Sequence, residues 1–184
     1  MKKIVFLLVP MLALVLAACS TADVEQASIA DLVGVYDDLG TLEVAVGEAS
    51  AAIPAALSDD AASLTLFAPT DEGFGTALDE LAAVCGVAEY TAGDLLGVDQ
   101  SVLDLVLSYH VVPAEVFAAD LTDGPVTMLA GGDVTVAGTT LTDAVGRTMN
   151  IVRTDVLASN GVVHFIDNVL LPTADTSVLN CPAS

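Results

Sequence analysis

The sequence predicts an α+β domain. Three observations point there. Apolar residues recur at helical spacing through residues 28–57 and again through the stretches around 71–85 and 99–109. From Pro125 onward the chain turns rich in Val, Thr and Ile and is punctuated by Gly. Helices therefore come first and strands second, instead of alternating as βαβ units would.

The elements follow in order. "SIAD" reads as a capping signal, with Ser28 at the cap and Asp31 three residues on. Ile29, Leu32, Val35, Tyr36 and Leu39 then form a helical stripe. Gly40 is expected to break that run, and Thr41 to cap a second helix carrying Leu42, Ala45, Val46 and Ala49. "SDDAAS" is a turn, and "SLTLFAPT" a short strand ended by Pro69. Thr70 or Asp71 suits the cap of the next helix, whose Phe74, Leu78, Leu81 and Ala82 share a side. Residues 94–97 give a short helical turn. "DQSVLDLVLSY" gives a firmer helix, capped by Asp99 or Ser101 and stopped before Pro113. "VTML", "DVTVAG", "TTLTDA", "TMNIVRTDVLA" and "VVHFIDNVLL" read as strands, with turn pairs at Gly131-Gly132 and Asn160-Gly161.

The first residues read as an export signal. Lys2 and Lys3 precede an apolar run that ends in "LAAC" at residues 16–19. That ending resembles a bacterial lipobox, which implies cleavage before Cys19 and a lipid on it. The expected organisation is a signal peptide over 1–18, a lipidated tether over 19–27, a domain over 28–172 and a tail over 173–184. The protein would then face the periplasm or the cell exterior, held to the membrane through its N-terminal lipid only. Cys85 and Cys181 remain as an even pair, for which a disulfide is the default in an oxidising compartment.

The charge excludes some partners. The chain carries 25 acidic residues and a formal charge of −21. Loss of Lys2 and Lys3 would leave Arg147 and Arg153 as its fixed positive side chains. Such a surface repels nucleic acid and anionic headgroups and favours cations and basic partners. The carboxylates are scattered, without the D-x-D-x-D-G spacing of a calcium loop, so they read as a solvated acidic coat suited to high salt.

Three blocks carry a resemblance. "LTLFAPTDEGF" (64–74) is a strand running into a helix, "LSYHVVP" (107–113) a helix end running into an extended piece, and "NGVVHFIDNVLLP" (160–172) a turn, a strand and a closing proline. In that order they resemble the fasciclin (FAS1) domain family over about residues 28–172. The resemblance implies a wedge-shaped β-sandwich with helices packed along one side. It implies adhesion or interaction with a protein of the matrix or envelope, and neither enzymatic activity nor a cofactor. Carriage of a small apolar ligand, a pigment or lipid, is the alternative. The family's signature positions fall on Phe67, Pro69, Thr70, Asp71, Phe74, Tyr109, His110, Asn160, Gly161, His164, Ile166, Asp167 and Pro172.

The two histidines, His110 and His164, are the residues that would make an enzyme. A catalytic reading uses His110 as base, Asp71 as its orienting carboxylate and Ser108 or Ser159 as nucleophile. No G-x-S-x-G elbow accompanies them. A metal reading joins both rings to carboxylates, without the close spacing of H-E-x-x-H. The structural reading has both rings buried and hydrogen-bonded, with Asp71 a candidate partner for His110. Arg147 and Arg153 are candidates for partner contact, weighed against pairing with local acidic groups.

Overall fold

The structure, a computed structural model, describes residues 26–173. The export signal, Cys19 and Cys181 lie outside the described residues.

The helical half is built by caps and apolar stripes. Helix α1 (Ile29–Val35) opens on the expected capping box, Ser28 and Asp31 satisfying each other's backbone amides. The Ser28 hydroxyl and then its amide, both donating to the Asp31 carboxyl, hold it below its ordinary range. The stripe ends earlier than its periodicity suggests. Tyr36 is extended and Val35 is 70% exposed.

Gly40 does not break the first run, which has already ended at Val35; it begins α2 (Gly40–Glu48), after a 3₁₀ turn at Asp37–Leu39. Nor does Thr41 cap that helix. Its amide donates instead to Oδ1 of Asp71 at 2.8 Å, so a carboxylate thirty residues on caps α2. Helix α3 (Ala52–Leu57) follows, then strand β1 (Leu64–Pro69).

Helix α4 (Asp71–Cys85) starts at Thr70, whose hydroxyl accepts from the Gly73 amide, and stops at the left-handed Gly86. Helices α5 (Ala92–Leu96) and α6 (Gln100–Ser108) complete this half. Strands β2 (Val111–Val112), β3 (Gly124–Thr127), β4 (Asp133–Ala137), β5 (Thr140–Thr142), β6 (Thr148–Ala158) and β7 (Gly161–Ile166) form a seven-stranded sheet with β1. The order is β2-β1-β7-β6-β5-β4-β3. Among the described residues, only the β1–β7 pairing is parallel.

Alternation along β1 and β7 places two cores on opposite faces. Leu64, Leu66, Ala68, Val163 and Phe165 meet the helices. Phe67 and Ile166 meet Val134, Val136, Leu141 and Met149 of the other half of the sheet. That second layer gives the expected sandwich. The Leu129 amide donates to the Val111 carbonyl, bringing the segment after β3 back onto β2.

The last expected strand stops short. "VVHFIDNVLL" is strand only to Ile166; the Asp167 amide still reaches the Asn150 carbonyl, and residues 168–171 leave the ladder while staying buried. Their backbone groups need partners of another kind.

Candidate functional site: a buried polar clamp around two histidines

His110 sits just past the end of α6, where helix carbonyls lack intrahelical partners. Its Nδ1 is 2.7 Å from the Val106 carbonyl, and its Nε2 is 2.9 Å from the Leu170 amide. The first contact needs a donor and the second an acceptor, so the ring is the neutral Nδ1–H tautomer. The residue is 2% exposed. Burial, reinforced by the Arg147 guanidinium, pushes its pKa down to about 4, against the opposing pull of the Val106 carbonyl and the Asp143 carboxylate.

His164 takes the opposite tautomer. Its Nδ1 accepts from the Asp155 amide at 3.2 Å, and its Nε2 donates to the Val116 carbonyl at 2.9 Å. It is fully buried, with its ring 5.7 Å from that of Phe67. Asp155 reaches it through a bulge in β6, where it adopts a left-handed φ of 56°. The Asp155 carboxylate accepts in turn from the Ala118 amide at 2.8 Å. One histidine thus joins α6 to the C-terminal segment, and the other joins the β6 bulge to the loop after β2.

The acidic and basic groups beside His110 complete the clamp on residues 168–171. Asp143 Oδ2 accepts from the Leu171 amide, and Arg147 Nη2 donates to the Val169 carbonyl. Arg147 also bonds Asp143 through Nε and Nη2 at 3.0 and 2.8 Å, and Glu80 through Nη1 at 2.8 Å. Asn168 donates to the Glu80 carboxylate. The Asp143 side chain is fully buried. It stays compatible with an apolar surround because Arg147 and the amides of Val145, Arg147 and Leu171 all donate to it.

Several expectations are corrected here. Asp71 does not orient His110; it caps α2. Ser159 donates to Asp60 at 3.1 Å, and both His110 nitrogens are on backbone groups, so the ring bonds neither Ser108 nor Ser159. Both ring nitrogens of each histidine are engaged by protein, and no group of three or more metal-ligating residues occurs among the described residues. Arg147 is an internal tie, paired with Asp143 and Glu80. Arg153 has other partners. It lies exposed on β6, stacked 4.9 Å over the Tyr36 ring and 5.3 Å from that of Phe165.

The other signature positions are structural for identifiable reasons. Asn160 does more than turn the chain: its Oδ1 accepts from the Ile29 amide, and its Nδ2 donates to the carbonyls of Leu57 and Asp59. Gly161 has φ 148°, and a Cβ there would lie 1.8 Å from the Leu64 carbonyl oxygen. Tyr109 donates its hydroxyl to the Asp133 carbonyl at 2.7 Å. Asp167 accepts from the Asn150 amide and side chain. Phe67 and Phe74 fill the two cores, and Pro69 ends β1.

Sequence reasoning missed Asp143, Glu80, Asn168 and Asp155. A signal existed for Asp143: an Asp four residues before an Arg, across a glycine turn. Nothing local marks Asp155 or Glu80.

An apolar cavity lies between α2, α6 and the 168–171 segment, lined by Leu42, Phe74, Leu103, Leu107, His110 and Leu171 among others. Its volume is about 30 Å³. That is roughly the space of one water, an order of magnitude below the several hundred Å³ of a ligand pocket.

The comparisons agree with this architecture. The family model of the fasciclin domain matches residues 41–172. Protein sll1483 of Synechocystis is 37% identical over 108 residues, which cover 59% of this chain and 54% of that protein. A fasciclin-like arabinogalactan protein of Arthroderma benhamiae is 30% identical over 127 residues, covering 65% of this chain and 25% of that protein. The chain thus spans about half the length of the first relative and a quarter of the second. A solved FAS1 domain pair from the insect cell adhesion molecule fasciclin I shares the fold, with a TM-score of 0.61 over 83% of this chain and 52% of that one, at 17% identity. With its signature residues seated in the two cores and the clamp, and with the family model spanning most of its length, the chain belongs to the fasciclin domain family.

Proposed function

We propose that this protein is a lipid-anchored fasciclin domain that acts as a non-catalytic binding module in adhesion or in contacts with the cell envelope or matrix. One observation carries the reading: the side chains best suited to chemistry, His110, His164, Asp143 and Arg147, are spent on internal hydrogen bonds. What remains outside is an acidic surface. The named role of fasciclin I as a cell adhesion molecule supports the same class of function. The proposal includes lipid attachment at Cys19 and a Cys85–Cys181 disulfide tying the tail to the end of α4. The carrier reading has no comparable support, since the apolar cavity holds only about 30 Å³.

Crosslinking in native cells followed by mass spectrometry tests the module. The expected result is a protein or matrix component recovered above an equally acidic control protein, and a Cys19→Ala variant that leaves the membrane fraction. Recovery no better than the control would contradict the binding role. Retention of the variant in the membrane would contradict the anchor.

A further inference from the structure

Residues 168–171 form neither strand nor helix, yet all four are buried. Val169 and Leu171 wall the apolar cavity over Leu42, Phe74, Leu103 and Leu107. Side chains hold the segment from three directions. Glu80 on α4 binds Asn168. Arg147 and Asp143, at either end of the β5–β6 connection, bind Val169 and Leu171. His110, past α6, binds Leu170.

Among these, His110 holds its contact only while neutral. An imidazolium carries a proton on both nitrogens, so its Nε2–H would point at the Leu170 N–H in place of accepting from it. It would also feel the Arg147 cation, opposed by the Asp143 carboxylate, while Arg147 already pairs with both Asp143 and Glu80. We infer that residues 168–171 are an acid-sensitive latch: protonation of His110 releases the segment and opens the apolar chamber beneath it to solvent. The device is independent of the binding-module reading.

The linkage sets its size. In the closed form the ring is held down to about 4, chiefly by burial. Once released it regains the ordinary value near 6.5. Opening then becomes more populated as pH falls through that window, by at most about 300-fold.

Native-state hydrogen exchange of the whole domain, followed by NMR from about pH 7.5 to 4, tests this. The latch predicts that the Leu170 and Leu171 amides exchange through an opening of lower free energy than those of Val163 and Phe165 in β7. That opening should have little denaturant dependence and gain up to about 300-fold in population as the pH falls. A His110→Asn variant removes the imidazole while leaving Asp143 and Glu80 in place, and should flatten the pH dependence. Leu170 and Leu171 exchanging with β7, with its full denaturant dependence at every pH, would overturn the inference. So would an undiminished pH response in H110N. If H110N fails to fold, the wild-type comparison between the segment and β7 decides alone.

Discussion

The backbone amide of Leu170 donates to Nε2 of His110 at 2.9 Å, joining residues sixty positions apart. A backbone group outside any strand is satisfied by a neutral side chain that is itself bonded to a helix end. Removing that side chain strands the Leu170 amide, leaves the Val106 carbonyl with the Tyr109 amide alone, and opens a void. His110→Ala should destabilise the domain by about 3 kcal/mol in denaturant titration. A loss under about 1 kcal/mol would mean the contact is dispensable.

The same residue sets a pH dependence. Its folded pKa, near 4, lies below the unfolded 6.5. The unfolded chain therefore binds more protons between those values, and folding weakens as pH falls through them. The contribution is fully present above about pH 6.5 and lost by about pH 4, and it amounts to about 3 kcal/mol. Subtracting the stability profile of H110N from that of the wild type isolates it. A flat difference would contradict the depressed value.

Arg147 and Asp143 differ sharply from Arg153 in expected cost. Arg147→Met leaves the buried Asp143 carboxylate without its cation and should cost about 3–5 kcal/mol. Adding Asp143→Asn should recover part of that loss, which a double-mutant cycle measures. Arg153→Ala removes an exposed stack on Tyr36 and should cost no more than about 1 kcal/mol.

Two positions of positive φ make separate predictions. Gly161→Ala drives a Cβ into the Leu64 carbonyl, at 1.8 Å, and should prevent folding as judged by circular dichroism. Asp155, at φ 56°, should tolerate Asn and reject Val. Asp155→Val should cost about 1–3 kcal/mol for the backbone, besides the lost bond to Ala118. A neutral D155V would show that the β6 bulge relaxes.

Much of this was legible in the chain. Ser28 with Asp31, Thr70 before α4 and the Asn160-Gly161 turn each announce themselves locally, because capping and turn chemistry act over three or four residues. The strands of the second half follow from their composition. What stayed hidden is long-range. Asp71 sits where it ought to cap its own helix, but the packing of α2 against α4 lets it cap Thr41 instead. The end of β7 reads as strand because Val169, Leu170 and Leu171 are apolar, but they are apolar for burial alone; besides the neighbouring Asn168, the side chains that replace their ladder come from three distant places. Arg147 looked available because its partner Glu80 is remote in sequence.

The central claim is that both imidazoles are neutral structural ties of opposite tautomer. Long-range ¹H–¹⁵N correlation spectra of the histidine rings test it most directly. The account predicts His110 protonated on Nδ1 and His164 on Nε2 at neutral pH, with His110 holding that form until the pH approaches about 4. Rings that average between tautomers, with His110 gaining its proton near 6.5 as in a free histidine, would contradict it.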